Sequence, residues 1–155
     1  MPRKTVFIKV SGDLVDKINE KNILIWLKTI TQKSFTAICT GGGKQINEAF
    51  KERGYPIEFG PQGRITNTFE ERQLARDVLE QNQTLVQDLL AKNGIMATVI
   101  IPVLDIASVL NHINGDDIAR FATGYDEAYI LTLKSRARDK KKQFSDCPKI
   151  RVKGF

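Results

Sequence analysis

Cysteine is scarce: Cys39 and Cys147, far apart in sequence, are the only two. That count excludes a disulfide framework and a thiolate zinc spacing, and it is the usage expected of a reduced, cytoplasmic protein. Histidine is scarcer still. His112 stands alone, so a multi-histidine metal centre is excluded, and in a polar turn His112 reads as structural. Long apolar runs are missing too. The uncharged stretch over residues 94–104 is 11 residues long and contains Thr98 and Pro102, whereas a membrane-spanning helix needs about 20. Lys9 interrupts the first apolar run, so no secretory signal is expected. What is present is ordinary: 155 residues, 41% hydrophobic and 27% charged, which suits one globular domain rather than a disordered or repetitive chain.

The charge is unevenly placed. Residues 134–153 hold nine Lys or Arg against two Asp, a local +7 within a total of +6, so the rest of the chain is close to neutral at −1. We therefore expect an α/β domain over residues 1–133 and a basic C-terminal segment over 134–155. The bland reading of that segment is a solvated terminal helix.

Residues 5–10 (TVFIKV) and 35–40 (FTAICT) read as β-strands. A helical pattern over 13–33 lies between them, with Asn22 a candidate cap. Gly41, Gly42 and Gly43 follow the second strand directly, and residues 44–53 read as a helix stopped by Gly54 and Pro56. This alternation predicts a mostly parallel sheet in a three-layer α/β/α arrangement. Residues 55–65 read as a loop. Thr68 and Glu71 form a capping box for a helix reaching about Asn93, with a break possible near residues 81–83. Residues 96–103 read as a strand buried on both faces. Short strands around a turn are expected over 104–113, a helix over 116–122 and a strand over 128–133.

Two features carry chemistry. Three glycines between a strand and a helix let the backbone approach a ligand, and the free amides at the helix start attract an anion. The spacing fits neither a Walker loop nor the dinucleotide fingerprint. Lys9, inside an apolar strand, is costly unless its ammonium leaves the core at the strand's end. With the first two strands parallel, Lys9 and the glycines share the rim where open α/β sheets bind ligands.

These elements resemble the amino acid kinase family, which includes the acetylglutamate and uridylate kinases. Lys9-Val10-Ser11-Gly12-Asp13 is similar to its opening lysine–glycine turn, and Thr40-Gly41-Gly42-Gly43-Lys44-Gln45-Ile46 to its glycine-rich acceptor loop. Gly63-Arg64-Ile65-Thr66 resembles the segment whose arginine holds a substrate carboxylate. Asn114-Gly115-Asp116 resembles an Asn-Ala-Asp motif. The resemblance implies phosphoryl transfer from ATP, with Mg²⁺ held mainly by the nucleotide, to a small acidic acceptor, either UMP or an acylated amino acid. It implies Lys9 and Asp116 as catalytic residues, Lys9 and Gly12 on the ATP phosphates, and Gly41, Gly42, Gly43, Arg64 and Asn114 on the acceptor. The family's Thr-Asp-x-x-Gly turn and its C-terminal nucleotide-binding part have no counterpart here.

Two other readings stay open at this point. One is an inactive anion-binding remnant of such a fold, or half of a site that a partner completes; the other is a basic module for nucleic acid, with few aromatics to support it. A small-molecule substrate is expected and no membrane. Exposed apolar positions on the helix carrying Trp26, or on the helix after Thr68, would favour a homo-oligomer.

Overall fold

In β1 (Lys4–Val10), Val6, Ile8 and Val10 turn to one face of the sheet and Phe7 to the other, so both faces of the strand are buried. A strand apolar on both faces belongs at the centre of a parallel sheet. The computed structural model, which describes residues 2–106, 109–112 and 114–155 (side chains at 104–106, 109–112 and 123 excepted), puts it there. β2 (Ser34–Thr40) and β8 (Glu127–Thr132) flank it, β5 (Thr98–Ile100) lies beyond β2, and β9 (Ile150–Gly154) lies beyond β8; all pairings are parallel.

Helices cover both faces, giving the three layers expected. Leu14 and Val15 of α1 (Gly12–Val15), Ile23 and Leu27 of α2 (Lys21–Thr31), and Val86 and Leu90 of α4 (Phe69–Lys92) pack on one face. Ala119 of α5 (Gly115–Phe121), Ala122 in the following 3-10 turn and Phe144 pack on the other. A third apolar cluster joins Ile46 and Phe50 of α3 (Gly43–Arg53) to Ala75, Val78 and Leu79 of α4.

The capping box at Thr68 is formed in full, and α4 runs unbroken past residues 81–83. Gly54 and Gly94, both with left-handed φ, stop α3 and α4. The helix expected over 13–33 is two helices, α1 and α2. Asn22 does not cap the second; Glu20 occupies that position. The loop expected at 55–65 contains a hairpin, β3 (Glu58–Gly60) with β4 (Gly63–Ile65). A second hairpin, β6 (Val103–Ile106) with β7 (Val109–His112), fills the region read as short strands; residues 107, 108 and 113 and the His112 side chain lie outside what is described.

The apolar run at 96–103 is not a strand buried on both sides. It yields three strand residues at the sheet's edge, and Met96 is 84% exposed. Side chains of α4 stand where a further strand would pair. Gln83 Nε2 donates to Val99 O (2.7 Å), Gln87 Nε2 donates to Ala97 O (3.1 Å), and Gln87 Oε1 accepts from Val99 N (3.1 Å). This closes an edge that would otherwise template aggregation. Gln87→Ala leaves the Val99 amide unpaired and is expected to cost about 1–2 kcal/mol in urea denaturation.

The basic segment holds α6 (Lys134–Gln143) and β9. α6 buries none of its own side chains. It is tied at its start by Lys134 N donating to Phe155 O (2.9 Å), and at its end by the next residue, Phe144, which is buried in the core. No helix among the described residues is long and apolar enough to cross a membrane.

Candidate functional site

Because β1 and β2 run parallel in register, with Lys9 opposite Cys39, their C-terminal ends share one rim. Gly41 N donates to Val10 O (2.8 Å), which fixes the glycine loop beside the end of β1. A cavity of about 630 Å³ opens on this rim, and all eight residues singled out from the sequence line it: Lys9, Gly12, Gly41, Gly42, Gly43, Arg64, Asn114 and Asp116.

The glycines do different work. A Cβ on Gly12 would lie 2.8 Å from Gly43 N and 3.1 Å from Gly42 N, and one on Gly41 would lie 3.0 Å from Gly12 N. Gly12 and Gly41 are therefore glycines because two backbone segments pack against each other. Gly42 faces Leu79 and Asn82, whose Nδ2 donates to Gly41 O (3.1 Å). At Gly43 nothing stands within 4 Å of a Cβ, so this glycine opens the first turn of α3 to the cavity. Gly12→Ala is expected to cost about 1–3 kcal/mol, since only backbone can yield, while Gly43→Ala leaves thermal stability unchanged.

A buried ionic cluster forms the cavity's inner wall. Lys9 Nζ donates to Asp116 Oδ1 (3.0 Å), with Ser11 Oγ at 3.4 Å. The other Asp116 oxygen accepts from Lys140 Nζ and from Gln143 Nε2 (3.1 Å). Less than one eighth of each of the three charged side chains is exposed. Burial alone would raise the Asp116 pKa, but Lys9 and Lys140 outweigh it and hold the carboxyl down to about 2. Asn114 caps α5, its Oδ1 accepting from Asp116 N (3.0 Å), which fixes the carboxylate's helix. Gly115 lets the Lys9 stem pass, as a Cβ there would sit 2.9 Å from Lys9 Cε. Beneath the cluster, burial pushes the Cys39 thiol up to about 12 despite the nearby Lys9, so it is inert.

α3 and the β3–β4 hairpin also line the cavity. Arg64 lies between the Phe50 and Phe59 rings, 5.2 and 4.8 Å from their centroids. Its Nη2 donates to Asn47 Oδ1 (2.6 Å) and Gly43 O (3.2 Å), while the buried Nη1 has no partner among the described residues. Burial lowers the Arg64 pKa. Arg64 lines the cavity, and a guanidinium with an unmet donor is chemically suited to an oxyanion.

Gln143, Asn47 and Lys51 were not singled out from the sequence, and Lys140 and Arg136 stood out only as part of the basic segment's charge. Arg136 Nη1 donates to Asp13 Oδ2 (2.7 Å) and, with Lys140, ties α6 to the rim. The available signal was helical spacing: 136, 140 and 143 share one face of α6, and 43, 47 and 51 one face of α3.

No protein-family model matches the chain, and no curated protein matches it. Solved structures do. An N-acetylglutamate synthase from Neisseria gonorrhoeae complexed with coenzyme A and L-arginine superposes with a TM-score of 0.63 at 10% identity, over 84% of this chain and 44% of that one. The same organism's N-acetylglutamate synthase complexed with coenzyme A and N-acetyl-glutamate gives 0.58 at 10% identity, over 98% and 55%. The likeness is one of fold, and the chain spans about half the length of these neighbours.

The kinase expectation is corrected here. The neighbours are N-acetylglutamate synthases complexed with coenzyme A, not kinases complexed with ATP. The resemblance to the amino acid kinase family, the ATP and Mg²⁺ requirement, and the phosphoryl-transfer activity do not stand, nor does the inactive-remnant alternative set beside them. The physical reason is that a cation beside backbone amides suits any small anion. A carboxylate satisfies such a rim as well as a nucleotide phosphate does.

Proposed function

We propose that the chain serves coenzyme A-dependent acyl transfer to an acidic amino acid, and that the rim cavity holds that amino acid or its N-acylated product. The observation that carries this reading is the pair of cationic stations that line one cavity: Arg64, whose Nη1 has no partner among the described residues, and the Lys9–Asp116–Lys140 cluster, which has a net charge of +1. Two stations in one small cavity match a dicarboxylate. The fold likeness to synthases named for N-acetylglutamate supports the same ligand class.

Arg64 would take one carboxylate and Lys9 with Lys140 the other. Asn114 and the Gly43 amide would bond the remaining polar groups, and Gly12, Gly41 and Gly42 would keep the rim's shape. Coenzyme A, when bound, supplies the activated acyl group as a thioester; Lys44, Lys51 and Arg136 along the cavity fit its phosphates in charge. The test is thiol release from acetyl-coenzyme A with L-glutamate as acceptor. Release that depends on glutamate and is lost in Arg64→Ala supports the reading. No release, together with no binding of either L-glutamate or N-acetyl-L-glutamate, contradicts it.

A further inference from the structure

The opposite end of the sheet holds a second cavity, of about 1010 Å³, beside the first halves of β1 and β2. Three of the most exposed large apolar side chains among the described residues line it: Met96 (84%), Phe121 (75%) and Phe35 (62%). Apolar surface gathered in this way marks a binding site more often than chance exposure does. A further strand cannot be what fills it, because Gln83 and Gln87 already occupy the outer edge of β5.

The chemistry of the occupant follows from what the groove leaves unmet. Ser34 Oγ donates to Ile30 O (2.8 Å) and lies 2.9 Å from Thr36 Oγ1. Thr31 Oγ1 donates to Lys28 O (3.3 Å), and Thr5 Oγ1 to Asp126 Oδ2 (3.0 Å). Both amide atoms of Gln87 are used as well. The side-chain hydrogen bonding of these lining residues is thus met internally, and the demand left is apolar. Thr98 and Tyr125 add neutral hydroxyls, and the one charged residue among those that line the groove is Arg3, whose guanidinium lies 5.7 Å from the Phe35 ring centroid and which has no ion pair among the described residues. The occupant should therefore be an apolar body with one anionic end, and the thioether of Met96 can adapt to a flexible chain.

We infer that this groove binds a medium-chain carboxylate, with its chain along Phe35, Met96 and Phe121 and its head group on Arg3. The site is separate from the rim cavity and does not depend on the function proposed for it.

Calorimetric titration of the full chain with hexanoate, octanoate and decanoate, each below its micellar concentration, tests this. Affinity is expected to tighten about three- to fourfold per added methylene. Arg3→Gln should weaken octanoate binding about tenfold at low salt and abolish the preference for octanoate over 1-octanol. The double variant Phe35→Ser, Met96→Ser changes exposed positions only, so it folds, and it should flatten the chain-length dependence. Affinity that does not rise with chain length overturns the proposal, as does binding unaffected by the double variant. Self-association in sedimentation that the double variant abolishes, without carboxylate binding, also overturns it and assigns the groove to a second copy.

Discussion

Alanine at Asp116 is expected to cost about 3–5 kcal/mol of folding stability at pH 7. Among the described residues the carboxylate is the one anion between two largely covered ammonium groups, Lys9 at 3.0 Å and Lys140 on its other oxygen. Removing it leaves two cations facing each other in the cavity wall, beside Gln143 and the Asn114 cap. Lys9→Ala should cost clearly less, because Asp116 keeps Lys140. The pH dependence has a definite sign. A carboxyl held at about 2 in the fold, against 3.8 when unperturbed, contributes stability that is complete above the unperturbed value. That contribution, roughly 2 kcal/mol, fades as the pH falls from about 4 toward 2. Denaturant titrations at pH 7 and pH 3 should show wild type losing more stability than Asp116→Asn over this interval. Equal losses would mean the cluster is not ionised as drawn.

The second large effect concerns ligand affinity. Arg64→Ala should weaken dicarboxylate binding about 100-fold, because a charge-assisted bond to a half-buried guanidinium is worth about 2–3 kcal/mol. Arg64→Lys should recover little of it. The guanidinium plane is held between Phe50 and Phe59 and already spends Nη2 on Asn47 and Gly43. A lysine ammonium cannot both keep those bonds and present a second donor in a fixed plane. Full rescue by lysine would show that charge alone suffices and that the geometry at Nη1 is irrelevant.

The parts of the fold that could be read from sequence are those set locally. β1, β2, the glycine loop and the Thr68 capping box each span fewer than eight residues, and their patterns needed nothing from elsewhere. The shared rim of Lys9 and Gly43 followed once the two strands were parallel. The rest depended on partners distant in sequence. Leu14, Val15 and Ile18 keep one helical face and Ile23, Leu27 and Ile30 another, and apolar spacing on both sides of the break between α1 and α2 let the two be read as one helix. The run at 96–103 looked like a central strand because its closing partners are side chains, Gln83 and Gln87, rather than a strand. α6 looked solvated because its role is ionic: Arg136 meets Asp13 123 residues away, and Lys140 meets Asp116 24 residues away. The convergence of cation and amides on one rim was legible, and with it the expectation of an anion. Which anion was not, since phosphate and carboxylate make the same demands on lysine and glycine.

The central claim is that the rim cavity takes a dicarboxylate, and calorimetric titration with N-acetyl-L-glutamate tests it most directly. Saturable one-to-one binding that collapses in Arg64→Ala is the result this account predicts. Heat no greater than dilution for N-acetyl-L-glutamate and L-glutamate alike, or saturation by ATP in their place, would contradict it.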